Sequence, residues 1–239
     1  MLYLVPTPIG NLEDMTLRAL RILNEVDVIA CEDTRTSSVL LAHYQIRTPT
    51  TSYHDHNERT RAPQLVARML AGQNVALISD AGTPGISDPG YHLVRQCIDN
   101  GLVVEALPGP TAFVPALVAS GLRTNRFVFE GFLPHKKGRQ TRLRALAEET
   151  RTIVLYESPH RLVRALEQLA EVLGGDRSAA VCRELSKKFE EVARGTLLEL
   201  KSLYAARERV KGEIVLLVAG QSARDDPPEP RDDDRNESD

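Results

Sequence analysis

Short continuous apolar runs alternate along this chain with longer stretches in which apolar residues recur every third or fourth position. Residues 2–5, 26–31, 75–78 and 102–107 read as strands, with a weaker one at 50–53. Between them, residues 16–25 place Leu17, Leu20, Ile22 and Leu23 near helical spacing, and residues 59–71 place Leu65, Val66, Met69 and Leu70 on one face with Gly72 as stop signal. Residues 91–100, closed by Gly101, and 111–120, closed by Gly121, complete the series. Strands alternating with amphipathic helices predict a parallel sheet joined by crossover helices.

The grammar changes after Gly121. Strands at 126–131 and 152–156 are separated by a basic segment, and those at 178–183 and 191–196 stand too close for a crossover helix, which predicts an antiparallel pair. A last strand covers 213–219. The expected fold is α/β in two domains: 1–122 with a parallel sheet, 123–220 with a mixed sheet. Residues 221–239 form a proline-rich acidic tail that cannot build a packed core and is expected to be disordered.

Charge alters this picture in one respect. The chain carries a formal −3, but the tail alone carries −5, leaving +2 on residues 1–220, so the folded body need not repel a polyanion. No run approaches the ~18 apolar residues of a membrane span, and the first residues are too short and unflanked for a secretory signal; a cytoplasmic location is expected. Cys31, Cys97 and Cys182 are far apart and odd in number, which argues against a disulfide framework or structural zinc and for small core residues.

Candidate chemistry concentrates in three loops, each following a strand. The longest is Ser79-Asp80-Ala81-Gly82-Thr83-Pro84-Gly85-Ile86-Ser87-Asp88-Pro89-Gly90. Glycines there let a backbone approach a ligand closely while proline stiffens the turn. The bland alternative is a long connection, with Asp88-Pro89 acting as helix cap and first helical residue. Pro6-Thr7-Pro8-Ile9-Gly10-Asn11 and Pro108-Gly109-Pro110-Thr111-Ala112 hold the same place after other strands. None matches a dinucleotide or P-loop glycine pattern. Stiff proline-rich loops suit a compact neutral or cationic ligand better than a pyrophosphate.

These three runs, with Cys31-Glu32-Asp33-Thr34-Arg35 and Tyr156-Glu157-Ser158-Pro159-His160-Arg161, resemble the class III, or tetrapyrrole methylase, superfamily of S-adenosylmethionine-dependent methyltransferases, and within it a branch that 2′-O-methylates a cytidine in the decoding region of 16S rRNA. The resemblance covers residues 1 to about 220 in order. It implies a methyl donor held in a cleft between two domains, on Gly82, Thr83, Pro84 and Ser87, with Thr111 and Ala112, Pro8 and Ile9, and Glu157 as further contacts. Tetrapyrrole-modifying members have Asp where Thr83 stands and often Met where Glu157 stands, departures that argue against a porphyrin-like substrate. It also implies a homodimer acting on 16S rRNA in the small ribosomal subunit, and no metal.

A ribose hydroxyl is a weak acid, so methylation needs an aligned donor and help with the proton. Glu32, at the carboxyl end of a strand, is the first candidate base; the alternative is a structural ion pair with Arg35 or a helix cap at Glu32 or Asp33. His54, in Tyr53-His54-Asp55-His56, is the second; the pair His54/His56 lacks a third metal ligand and reads otherwise as a polar loop. The segment from His135 to Arg144 supplies phosphate-neutralising candidates Lys136, Lys137, Arg139 and Arg142, joined by Arg35 and Arg161. A solvated helix face balanced by Glu148 and Glu149 is the alternative. Phe132, Tyr53 and Tyr156 are the candidates for base stacking, against a core role for each. Two competing functions remain open at this point: a methyltransferase for a tetrapyrrole or modified protein side chain, and a noncatalytic RNA-binding module.

Overall fold

The computed structural model describes residues 1–221. The tail expected to be disordered lies, apart from Gln221, outside the described residues. The described residues divide into two compact units, 1–115 with 184–190, and 116–183 with 191–221. The division falls within a helix at Pro115 rather than near Arg123, and the connection 184–190 counts with the first unit.

The first unit contains β1 (Leu2–Leu4), α1 (Leu17–Glu25), β2 (Val28–Cys31), α2 (Thr34–His43), β3 (Thr50–Ser52), α3 (Glu58–Leu70), β4 (Val75–Ile78), α4 (Tyr91–Asp99), β5 (Val104–Ala106) and the start of α5 (Phe113–Ser120). Its sheet is parallel throughout, in the order β3-β2-β4-β1-β5. The apolar runs have a physical cause. Val28, Ala30, Val75 and Leu77 turn to one face, against Leu65, Val66 and Met69 of α3 and Leu93 and Cys97 of α4. Ile29, Cys31, Ala76 and Ile78 turn to the other, against Ala19, Ile22 and Leu23 of α1 and Leu41 of α2. A sheet covered on both faces needs apolar residues at every position. Thr16 caps α1 by accepting the Ala19 N–H, and Asp33 caps α2 by accepting that of Arg35. This strand order sets β1 between β4 and β5. Their following loops therefore leave one edge of the sheet as neighbours, with the loop after β2 on the far side of β4.

The second unit contains the remainder of α5, then β6 (Phe127–Phe132), α6 (Arg139–Ala147), β7 (Thr152–Glu157), α7 (Leu162–Leu173), β8 (Ser178–Arg183), β9 (Glu191–Thr196), α8 (Leu197–Ala205) and β10 (Ile214–Val218). The sheet is mixed, in the order β6-β7-β10-β8-β9: β6 is parallel to β7 and the other pairs are antiparallel. β8 and β9 pair from Ser178↔Thr196 to Arg183↔Glu191, as their close spacing predicts. Ile153 and Leu155 of β7, Ala179 and Val181 of β8 and Leu216 of β10 meet Leu162, Leu166 and Leu169 of α7 and Leu200 and Tyr204 of α8 in one core. Edge strand β6 slips register between Phe129 and Gly131, leaving Glu130 as an extra residue.

Among the described residues no helix is long and apolar enough to cross a membrane. All three cysteines are buried and none forms a disulfide.

Candidate functional site

Loop convergence is built into the first unit. Thr7 and Gly82 exchange two backbone hydrogen bonds of 2.9 Å, locking the loop after β1 to the loop after β4. The fully buried Thr7 hydroxyl donates to the Ser79 carbonyl at 3.0 Å. Thr83 Oγ1 donates to the Pro110 carbonyl at 2.9 Å, tying the same turn to the loop after β5. Gly82 has φ +83°, and a Cβ there would meet Ile9 Cγ2 at 3.5 Å, the Pro110 carbonyl oxygen at 3.8 Å and Thr111 Cα at 3.9 Å. Pro8, Ile9, Gly82, Thr83, Pro84, Thr111 and Ala112 thus lie on loops that share one edge and are bonded to one another. Ser87, exposed in the same long loop, has φ +62°, a conformation that costs a non-glycine residue and signals a loop shaped for more than connection. Thr7 was not singled out from sequence; a threonine between two prolines carries no signal of burial.

Carboxylates crowd the same edge. Glu32 follows β2 and is half-buried; burial first, then the charges of Asp80 and Asp55, raise its pKa, while His54 opposes them. Asp80 is exposed at the residue level, and its pKa is raised by partial desolvation of the carboxyl and by the Asp33 charge, against a bond from the Asp33 backbone N–H at 3.3 Å. Asp88 moves furthest, pushed up to about 7 by burial and then by Glu32. The sequence allowed Asp88 as a helix cap, but Gly90 caps α4 and makes no side-chain cap bond. That helix-like Asp-Pro signature is what hid Asp88 among the candidates. Asp33 goes the other way, to about 2, because Arg35 bonds its carboxylate. Arg35 therefore stands exposed but ion-paired at 2.8 Å. Among the described residues no group of three or more His, Cys, Asp or Glu is arranged to hold a metal ion.

His54 is held by Asn57, whose Oδ1 accepts the His54 backbone N–H at 2.9 Å and whose Nδ2 lies 3.1 Å from the ring Nε2. The ring Nδ1 is buried without a partner. Tyr53, a stacking candidate, is a core residue at 1% exposure.

In the second unit Glu157 and Arg139 depart from what was expected of them. Glu157 is buried; its Oε1 accepts the Ser158 N–H at 2.7 Å and pairs with Arg161 at 2.8 Å, and its Oε2 lies 3.7 Å from Arg139. Arg139 is itself buried, donating to Gln168 at 2.7 Å and to the Pro134 carbonyl. A guanidinium so enclosed neutralises Glu157 rather than a phosphate. Arg161 is partly covered and also reaches His135 Nδ1 at 2.9 Å. Lys136 and Lys137 are exposed, and Arg142 is half exposed while paired with Glu130. Phe132 is 53% exposed, so it is a surface aromatic and not a core one.

Residues 1–201 match the family model for tetrapyrrole (corrin/porphyrin) methylases. The chain belongs to the tetrapyrrole methylase family. Within that family it is 54% identical over 98% of its length to a protein of Mesorhizobium japonicum named ribosomal RNA small subunit methyltransferase I, covering 79% of that relative. It is likewise 54% identical over 95% of its length to the protein of that name from Synechocystis, covering 81% of it. Among solved structures, a uroporphyrin-III C-methyltransferase from Thermus thermophilus, complexed with S-adenosylhomocysteine, shares the fold with a TM-score of 0.62 at 23% identity, over 90% of this chain and 96% of that one. The parallel and mixed five-stranded sheets are those of a tetrapyrrole methylase.

The first unit fits the methyl donor of this family on its own chemistry. Three loops meet at Gly82, whose φ of +83° favours glycine and where an added Cβ would touch Ile9, Pro110 and Thr111. The adjoining carboxyls are held above their ordinary range, by desolvation first and by neighbouring carboxylates next, and a sulfonium cation beside them would favour their ionised forms.

Proposed function

We propose that this chain methylates the 2′-hydroxyl of a cytidine ribose in the decoding region of 16S rRNA within the small ribosomal subunit, using S-adenosylmethionine and acting as a homodimer. The observation that carries the methyl-transfer reading is the meeting of three mutually bonded loops with an uncompensated carboxylate rim. The relatives' names support an rRNA acceptor, and the motif runs' resemblance to the 2′-O-methylating branch supports the ribose oxygen and the cytidine.

Donor contacts are assigned to Pro8, Ile9, Gly82, Thr83, Pro84, Ser87, Thr111 and Ala112; Glu157 is assigned to holding Arg139 and Arg161 instead. When bound, the cofactor supplies an electrophilic methyl group on sulfur. The chain's own residues orient the acceptor and take its proton. The acceptor's hydroxyl proton passes to a carboxylate, and Glu32 is the base proposed. Asp88, titrating near neutrality beside it, shares that proton and keeps the pair from carrying two full negative charges. His54, whose charge acts on Glu32, is the alternative relay. Lys136, Lys137, Arg142, Arg35 and Arg161 supply positive charge for the RNA backbone.

The test is direct. The protein is incubated with methyl-labelled S-adenosylmethionine and small subunits from cells lacking the modification, and nuclease fragments are mapped by mass spectrometry. Label on a cytidine ribose in the decoding region is expected. Label on a base, or transfer only to a tetrapyrrole or protein, would overturn the reading.

A further inference from the structure

We infer that the recess between the end of β6 and the first turns of α6 is a nucleotide subsite, taking one unpaired residue of single-stranded RNA with its base on Phe132 and its phosphate at Arg142. The inference deepens the rRNA reading and rests on it. The recess has a volume of about 490 Å3 and is lined by Phe132, Pro134, Gly138, Thr141, Arg142 and Glu130, among others. That volume lies within the roughly 300–1,000 Å3 of small-molecule sites.

Its construction favours a nucleotide. Phe132 presents 53% of its surface, its ring held by Tyr156 at a centroid distance of 5.6 Å. An aromatic ring left open beside a concavity is the platform on which unpaired bases stack. The bulge at Glu130, followed by Gly131 at φ +64°, turns the Glu130 side chain inward until only 5% is exposed. Both its oxygens accept from Arg142, through Nε and Nη2. This two-point bond fixes the plane of a guanidinium that stays 52% exposed at the rim, a geometry suited to phosphate. Lys136 and Lys137 are exposed just before α6, which is capped by Gly138 without a side-chain bond and has no acid in its first turn. Every charge offered at the rim is positive, because the one carboxylate is buried and paired. With Glu130 so engaged, the wall reads no base edge. The subsite therefore selects unpaired RNA over duplex and is tolerant of base identity.

The experiment titrates the full chain into a short single-stranded oligoribonucleotide carrying 2-aminopurine, and into a blunt duplex of the same composition. Quenching on binding to the single strand is expected. Phe132→Ala is expected to weaken single-strand binding about tenfold and to leave duplex binding and S-adenosylmethionine affinity unchanged, while Phe132→Trp retains quenching. Arg142→Gln should reduce the slope of log affinity against log salt by about one. Unchanged single-strand affinity in Phe132→Ala would overturn the subsite, as would an equal loss on duplex. A fall in oligomeric state by sedimentation with RNA affinity intact would instead assign the recess to a second copy of the chain, and also overturn it. Failure of the wild-type protein to methylate small subunits strikes the rRNA reading separately, since the titration needs no turnover.

Discussion

In the second unit Glu191 lies between Arg207 and Arg183, Glu149 is clasped by Arg151, Glu167 by Lys201 and Glu199 by the backbone and hydroxyl of Thr196, and every one of these carboxyls is held below its ordinary range. In the first unit Glu32, Asp80 and Asp88 are each held above it, by desolvation first and then by neighbouring carboxylates: Asp80 and Asp55 on Glu32, Asp33 on Asp80, and Glu32 on Asp88. The same residue types are thus balanced within one unit and left unbalanced in the other. Balanced charge serves the fold. A surplus of one sign that costs stability is kept where something outside the chain offsets it, and here the surplus sits beside the three stiff loops. Asp33, neutralised by Arg35 and capping α2, shows the structural use of an acid a few residues from the other use.

The strongest way to break this contrast is to distort the turn at which the three loops meet. Gly82→Val would place a β-branched side chain at φ +83°, a left-handed conformation that costs an L-residue about 1–2 kcal/mol before crowding is counted. Donor affinity, measured calorimetrically, should fall by about two orders of magnitude, while RNA affinity stays near wild type because the substituted turn holds none of the residues assigned to the RNA backbone. Wild-type donor affinity in this variant would remove the loops from the site.

Next in size is Glu32→Gln. A positioned general base is worth roughly 10²–10⁴ in rate, so single-turnover methyl transfer should slow by about a hundredfold or more with substrate affinities little changed. Full activity would pass the proton to Asp88 or His54. Asp88 also explains why the site was only partly legible beforehand. Glycine and proline runs announce the loops because few residues tolerate those turns, and the apolar runs announce the strands because both sheet faces are covered. Asp88 hid behind an Asp-Pro cap signature. Arg139 looked like its basic neighbours, since a sequence does not say which arginine turns inward to meet Glu157. Phe132 looked like core, because its exposure follows from a one-residue bulge at Glu130 that alternation alone does not reveal.

The smallest effects, and the sharpest test of the contrast, lie in the pH dependence of stability. Glu191, held at about 2, contributes stability that is present above its ordinary 4.5 and is lost as pH falls toward 2. Glu191→Gln should therefore destabilise the second unit by about 1–3 kcal/mol at neutral pH, with the penalty shrinking below pH 4.5. Asp88 has the opposite sign. Its carboxyl, raised from 3.8 to about 7, contributes stability that is full below 3.8 and lost as pH rises through 7. Asp88→Asn cannot ionise, so its stability relative to wild type should climb between those two values and level off above the upper one, by on the order of 1 kcal/mol after screening by solvent. Native-state hydrogen exchange across this range resolves the two units separately, the first reporting on Asp88 and the second on Glu191. If both substitutions gave the same sign of pH slope, the acids of the first unit would be as well balanced as those of the second, and the argument that their surplus awaits a cationic ligand would fail.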